Sequence, residues 1–337
     1  MININDVVKL GVDTYKNRVE KFSQKEALDA MREALVVANG GSTKLTPKSL
    51  RGANGAAVFS IIEDILSFIV VDELQNDEFV NSVVDFRNLK IGDKNEFIVE
   101  NSDLFTVSKL ADGTQGLRRQ RLGGTSKVSI NTEVRGIKFY EELVRVMGGA
   151  IDFNTLIDRC VASMKHQILT DIYTLWDGVT AIDLGGTSYF PAAGAFDADV
   201  FFGVLDHVEA AANGKKATII GTASAIRKLE GLEKSSKAQD DLYNLGYVGS
   251  YFARPVVAVP QKHKAGTSTF LADSNVLTLI AGDEKPIKLV YEGDGLIIEG
   301  DRLGNADLTQ DYLYTESYGI GLVVASGTGV GKYDMTE

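Results

Sequence analysis

The sequence is poor in the residues that build stapled or metal-bound folds. It has one cysteine, Cys160, in 337 residues, which excludes an intramolecular disulfide framework and a Cys-rich zinc pattern. Its three histidines, His166, His207 and His263, stand far apart, and none has another ligand type at helical pair spacing. The longest apolar stretch, residues 58–71, is broken by Glu63 and Asp64 and falls short of the ~18 to 20 apolar residues of a membrane span. The start, with Asn3, Asn5 and Asp6, lacks the basic region and apolar core of a signal peptide, so a cytoplasmic chain is expected. Basic excess is missing as well. A net charge of -11 excludes a protein that coats duplex nucleic acid by neutralising phosphates. There is no Gly-x-Ser-x-Gly elbow and no internal repeat at solenoid or propeller spacing.

What the chain does have is an order of parts. Its 44% hydrophobic and 24% charged content suits a globular protein with a sizeable core and two or three domains. Residues 24–38 fit a helix with Ala27, Leu28, Met31, Ala34, Leu35 and Ala38 on one side, stopped by Gly40 and Gly41. The stretch that follows, to about residue 55, carries Pro47 and several glycines, so this helix is expected to be tethered as an arm rather than built into a domain. In residues 56–84, Ile61, Ile62, Ile65, Leu66, Ile69 and Val70 form one side of a buried helix, with a strand as the alternative because of the β-branched content. Residues 96–137 then read as a polar, Gly-rich ribbon of two strands. On its return side Val128, Ile130, Thr132 and Val134 alternate with polar residues; at Gly136 the phase slips toward Ile137 and Phe139, which predicts a bulge. The tip, residues 112–124, sets Arg118, Arg119 and Arg121 among glycines, a basic cluster in an acidic chain.

Beyond the ribbon, Asp152 caps a long helix. Phe153, Leu156, Ile157, Cys160, Val161, Met164, Ile168, Ile172, Leu175 and Trp176 recur there at three- and four-residue steps until Gly178. At 1.5 Å per residue it spans roughly 36 Å and can serve as a spine. Cys160 falls on its apolar face, the place of a packed core thiol rather than a nucleophile. A helix over residues 198–212 capped by Asp197, a strand over 217–221 and a third helix from the Thr222 cap to Leu232 are α/β in character. Residues 233–241 read as an exposed loop, followed by strands at 255–260, 270–271, 276–280, 287–291 and 296–299. Finally, Tyr312, Tyr314, Tyr318, Ile320, Leu322 and Val324 alternate along a strand of roughly 43 Å, long enough to accompany most of the spine.

Chemical motifs are weak. Gly327-Thr328-Gly329-Val330-Gly331-Lys332 resembles a phosphate-binding loop, yet Ser326 stands in place of the first glycine and Tyr333 in place of the magnesium-binding Ser/Thr. A flexible tail is the better reading. The turn Gly221-Thr222-Ala223-Ser224 lacks the glycine spacing of a dinucleotide site and reads as a helix cap. Asp206 and Glu209, close to His207, fit a solvated helix face. No catalytic, cofactor-binding or metal-binding residue is nominated. The ribbon is the exception to this blandness, because an isolated two-stranded hairpin is marginal in water and this one has no core of its own. It is expected to lie on a neighbouring copy of the chain, with Arg118, Arg119 and Arg121 meeting carboxylates there.

This order of parts resembles the tailed-bacteriophage major capsid proteins of the Hong Kong ninety-seven fold. The resemblance is carried by Gly136-Ile137-Lys138-Phe139-Tyr140-Glu141-Glu142-Leu143 leading into the spine and by Ala217-Thr218-Ile219-Ile220-Gly221 ahead of its helix. A third carrier is Leu245-Gly246-Tyr247-Val248-Gly249-Ser250-Tyr251-Phe252-Ala253-Arg254-Pro255-Val256-Val257, similar to the family's run from a glycine-bearing turn into a strand, with Ala253-Arg254 in place of a small pair. It covers about residues 55–325 and implies an α+β fold. The parts would be an N-terminal arm (1–55), the start of a peripheral domain (56–95), an extended β-ribbon loop (96–137), the peripheral domain with spine helix and β layer (138–195), a central α/β axial domain (196–305), and a return strand with a C-terminal tail (306–337).

The resemblance further implies a structural protein, not an enzyme and without cofactors. Such a protein self-assembles into hexamers and pentamers of an icosahedral shell that encloses double-stranded DNA without binding it specifically. It would be a virion component assembled in a host bacterial cytoplasm, with scaffolding, portal or decoration proteins as further partners and no membrane. Some members crosslink a loop lysine to a neighbour; Lys109 and Lys127 lie in the loop, but no motif identifies a partner. The short arm points to a separate scaffold protein or none fused. Two alternatives remain open: an encapsulin-like nanocompartment shell, whose members tend to lack a long N-terminal arm, and an α/β ligand-binding enzyme built on residues 217–232.

Overall fold

Apolar spacing sets the N-terminal part of the computed structural model, which describes residues 4–16, 18, 23–43, 53–99, 105, 107, 119–121, 123–140, 153–179, 186–231, 235–299, 311–325 and 327–336. Helices α1 (Ile4–Tyr15) and α2 (Gln24–Ala38) pack on helix α3 (Ala53–Gln75). Ser23 opens α2 with a capping box: its hydroxyl accepts from the Glu26 N–H at 3.3 Å while its own N–H donates to the Glu26 carboxylate at 2.9 Å. Met31 and Leu35 are buried in the same core as Ile61, Ile65 and Ile69 of α3. The expectation of a tethered arm is thereby corrected, because the apolar side of α2 finds its cover within its own chain. The stretch left open between helix and strand is a helix.

Helix α4 (Glu78–Val83), capped by Asp77, leads into strand β1 (Val84–Leu89). The predicted spine is helix α5 (Phe153–Asp177), followed by Gly178. It buries Ile157, Cys160, Val161, Met164, Ile168 and Ile172, packing on α3 and on the long strand β11 (Asp311–Leu322). Strand β11 is the middle of a five-stranded sheet with β1, β9 (Ile287–Glu292), β10 (Leu296–Glu299) and β4 (Glu133–Tyr140). Within it β1 runs parallel to β9, whereas β9, β10 and β4 are each antiparallel to β11. Pairing of β4 with β11 is unbroken from Glu133 opposite Tyr318 to Tyr140 opposite Asp311, so the bulge expected at Gly136 is absent. The phase changes just upstream instead: Ile130 is buried, Val134 is 70% exposed, and Ile137 and Phe139 turn inward.

A second sheet, in the order β12 (Gly329–Asp334), β8 (Val276–Ala281), β5 (Thr218–Thr222), β7 (Arg254–Val259) and β6 (Ser250–Tyr251), carries the α/β region. Helix α6 (Ala198–Ala211), capped by Asp197, packs on β8 and β12, and Phe201, Leu205, Val208, Ile219, Leu277 and Leu279 fill the space between. Three expectations are corrected here. Helix α7 (Ala223–Ile226), capped by Thr222, stops short of Leu232. The stretch read as an exposed loop holds helix α8 (Ser236–Leu245), opened by the Ser235 hydroxyl and closed by Gly246 at φ 79°. Polar composition hid it, since only Ala238 is fully buried.

The third correction concerns residues 327–332, read as a flexible tail and grouped with the peripheral return strand. They enter β12, where Val330 stands opposite Ile280 and Tyr333 opposite Leu277. Two contacts tie this sheet to its surroundings: the Tyr333 hydroxyl accepts from the Asp197 N–H at 2.8 Å, and the Trp176 indole N–H of the spine donates to the Thr278 hydroxyl at 2.7 Å.

Candidate assembly surface

Strands β2 (Phe97–Val99) and β3 (Ser126–Val128) form the described part of the ribbon, with Phe97 opposite Val128 and Val99 opposite Ser126. Its base is well seated. Phe97 and Ile130 are buried with Val290, and Leu89 packs beside them. The Arg87 guanidinium lies 3.9 Å and the Lys288 ammonium 5.5 Å from the centre of the Phe97 ring, placing positive charge over its electron-rich face. The Asn95 amide donates to the Ile130 carbonyl, and the Thr132 hydroxyl donates to the Glu292 carboxylate at 2.6 Å. Across the ribbon Lys127 pairs with Glu96 at 2.6 Å, a hydrogen bond that lowers the Glu96 pKa.

Two glycines of β11 make this seat possible. A Cβ on Gly319 would stand 2.2 Å from the Asn131 carbonyl oxygen, and one on Gly321 would stand 3.1 Å from the Ile130 side chain. Farther out the cover ends: Ile98 is 56%, Phe105 53% and Val107 94% exposed. Arg119 and Arg121 are exposed, and Arg118 lies outside the described residues.

A second feature escaped sequence reading. Glu316 is in phase with Tyr312, Tyr314 and Tyr318 on β11 and, like them, is buried, at 4% exposure. Burial pushes its pKa up to about 7, although the Tyr314 hydroxyl, which donates a hydrogen bond, and the Tyr291 hydroxyl work in the other direction. Glu316 Oε2 and the Tyr291 hydroxyl face each other without a well-formed hydrogen bond. Both line a cavity of about 450 Å³ shared with Asp64, Asp72 and Asp294. Asp64, exposed by surface area, has its pKa raised, first by the partial loss of solvent around it and then by the Asp294 charge. The available signal was an acidic residue at an inward position of an alternating strand, between Tyr314 and Tyr318.

The remaining motifs resolve into structure. Cys160 is buried in the core, which pushes its thiol pKa up to about 11. That is the wrong direction for a nucleophile. The Thr222 hydroxyl accepts from the Ala225 N–H at 3.2 Å as a cap, and Glu209 holds Arg254 with contacts of 2.6 and 2.9 Å. Among the described residues no group of three or more His, Cys, Asp or Glu side chains is placed to hold a metal ion, and no helix is long and apolar enough to cross a membrane.

The family model described as "SPbeta prophage-derived putative capsid protein YonB" matches residues 6–331. The chain belongs to this family. This capsid protein is therefore structural, and its prophage family favours the phage reading over the nanocompartment one. No curated protein matches its sequence. Its solved structural neighbours include the capsid of a native GTA particle, at 13% identity and TM-score 0.48 over 76% of this chain and 89% of that one. Microbacterium phage Oxtober96 matches at 11% identity and TM-score 0.47 over 74% and 89%. The capsid of the Cyanophage P-SCSP1u matches at 12% identity and TM-score 0.45 over 75% and 86%.

Proposed function

We propose that this capsid protein self-assembles into the hexamers and pentamers of an icosahedral shell enclosing double-stranded DNA, and that its ribbon lies across an adjacent copy. The ribbon carries the reading: it is seated at its base by Phe97, Ile130 and Asn95, while Ile98, Phe105 and Val107 stand exposed beyond that seat. Apolar side chains held out on a ribbon are stabilised when a second surface covers them. A closed shell supplies that surface to every copy alike. The acidic chain encloses DNA without specific contacts to it, acts in the virion after assembly in a bacterial cytoplasm, and performs no catalysis. Scaffolding, portal or decoration proteins are its further partners.

Deletion of residues 112–124 tests this. The subunit should still fold and melt cooperatively, while negative-stain images of the purified protein should show few or no shells. Normal shells from the deletion would refute the ribbon's role, and a small oligomer from the intact chain would refute the shell.

A further inference from the structure

The cavity beside Glu316 is acidic, lined in part by the aromatic rings of Phe68 and Tyr291 and the amides of Gln75 and Asn88, and incomplete in hydrogen bonding. Its described lining holds Asp64, Asp72, Asp294 and Glu316 together with Ser67, Asn88 and Tyr291, and none of the lining residues is cationic. At the rim Lys16 pairs with Asp72 at 2.6 Å, which leaves Asp64, Asp294 and Glu316 without a described ion pair. Asp64 and Asp294 are exposed at the mouth, whereas Glu316 and Tyr291 are each 4% exposed on the floor. Glu316 and Tyr291 face each other without a well-formed hydrogen bond, and buried polar atoms left with poor geometry cost free energy. The group that satisfies this set is a donor-rich cation small enough to enter and planar enough to reach two carboxylates. A guanidinium has five N–H donors in a fixed fork and meets that description better than a compact ammonium.

We propose that this cavity receives the arginine-bearing ribbon tip of a second copy, with Arg119 or Arg121 entering between Asp64 and Asp294 toward Glu316. This rests on the assembly reading above and adds the acceptor that it leaves unspecified. Charge complementarity selects the occupant: the chain carries a net charge of -11, yet residues 118–121 concentrate three arginines. Arg119 and Arg121 are exposed, on the element proposed to lie on a neighbour. The Phe68 ring, in the lining, already has the Lys16 ammonium 5.3 Å from its centre, and its exposed part, at 52%, adds apolar surface for an aliphatic stem.

The test is a charge exchange in the full chain. Asp64→Lys with Asp294→Lys should reduce shell yield about tenfold or more, and so should Arg119→Glu with Arg121→Glu, through like-charge contacts. All four substitutions together should recover shells to within about threefold of the unmodified protein, since a restored pair cancels the separate losses. Both acidic positions are at the exposed mouth, so unchanged circular dichroism and melting of the unassembled subunits will show that the fold is intact. A second measurement needs no charge reversal. Asp294→Cys combined with Arg119→Cys or Arg121→Cys in a Cys160→Ser background should give, on mild oxidation of shells, chains linked to one another on a non-reducing gel. Normal shells from either two-residue variant, no recovery in the combined one, or a disulfide formed only within single chains would overturn the proposal while leaving the capsid reading in place. Absence of shells from the unmodified chain would overturn that reading and this one with it.

Discussion

Strand β11 and the return side of the ribbon, residues 127–135, share an alternation of apolar and polar residues, yet the strand and the ribbon meet opposite fates. On β11, Tyr312, Tyr314, Glu316 and Tyr318 are all at 4% exposure or less, because β4 covers one edge, β9 and β10 cover the other, and the spine helix packs on the strand. On the ribbon, Phe97 is covered by Val290 and Arg87, yet Ile98 one step along is more than half exposed. A period-two pattern thus states that one face will be buried and leaves open by what. In β11 the cover is the same chain; in the ribbon it is proposed to be another copy.

The largest expected effect breaks the self-covered side. Ile168 is fully buried on the spine, so Ile168→Asp should cost about 4 kcal/mol or more and abolish soluble, cooperatively melting subunits. Next comes Glu316, whose pKa rises from its ordinary value of 4.5 to about 7 in the folded chain. The folded state therefore holds the proton more tightly than the unfolded one. Its contribution to stability is full below about pH 4.5 and is lost as pH rises to about 7, a change of about 3 kcal/mol. Urea midpoints at pH 5 and pH 8 should differ accordingly, and Glu316→Gln should reduce the difference, leaving contributions of the same sign from Glu63, Asp64 and Asp158.

At the junction of the two regions, Gly319→Val would press on the Asn131 carbonyl and should cost about 1–3 kcal/mol. Faster amide exchange around Ile130 with unchanged exchange in α5 would show that the ribbon's seat alone has loosened. The smallest effect is at the first helices: Ser23→Ala removes the α2 cap and should cost about 1 kcal/mol by thermal melting. Amides of α2 should be protected in dissociated subunits, because Met31 and Leu35 are buried in the subunit's own core. Exchange at the unfolded rate there would place α2 on the ribbon's side of the comparison.

Much of this architecture was legible in the sequence where one periodicity acted alone. The spine from Phe153, the helix from Gln24 to Ala38 and the Tyr-rich strand each have a single uninterrupted phase, and the structure contains all three. Legibility failed where cover comes from afar. Helix α8 exposes most of its residues and is set by a Ser235 cap and a Gly246 stop rather than by an apolar stripe. Strand β12 has three glycines near its start and became a strand because β8, some 50 residues earlier, offers it an edge. The sequence predicts a bulge at Gly136, but β4 pairs without a break there, and the phase changes at Thr132 to Val134, where the ribbon passes onto the sheet. Arg118, Arg119 and Arg121 were singled out by charge; Glu316 was passed over because its neighbours in the alternation are aromatic.

Strands β11 and β12, described above as members of two different sheets, also impose an order in time. Residues 311–322 form the middle of the first sheet and residues 329–334 close the second, and β1 must wait for a partner about 200 residues later, at Ile287. Pairings of such long sequence separation form late. During synthesis neither sheet can be completed until nearly all of the chain has left the ribosome, so a product that stops before Asp311 lacks both closures at once. Such fragments would present no finished docking face, and a growing lattice would be protected from defective copies by the timing of the fold itself.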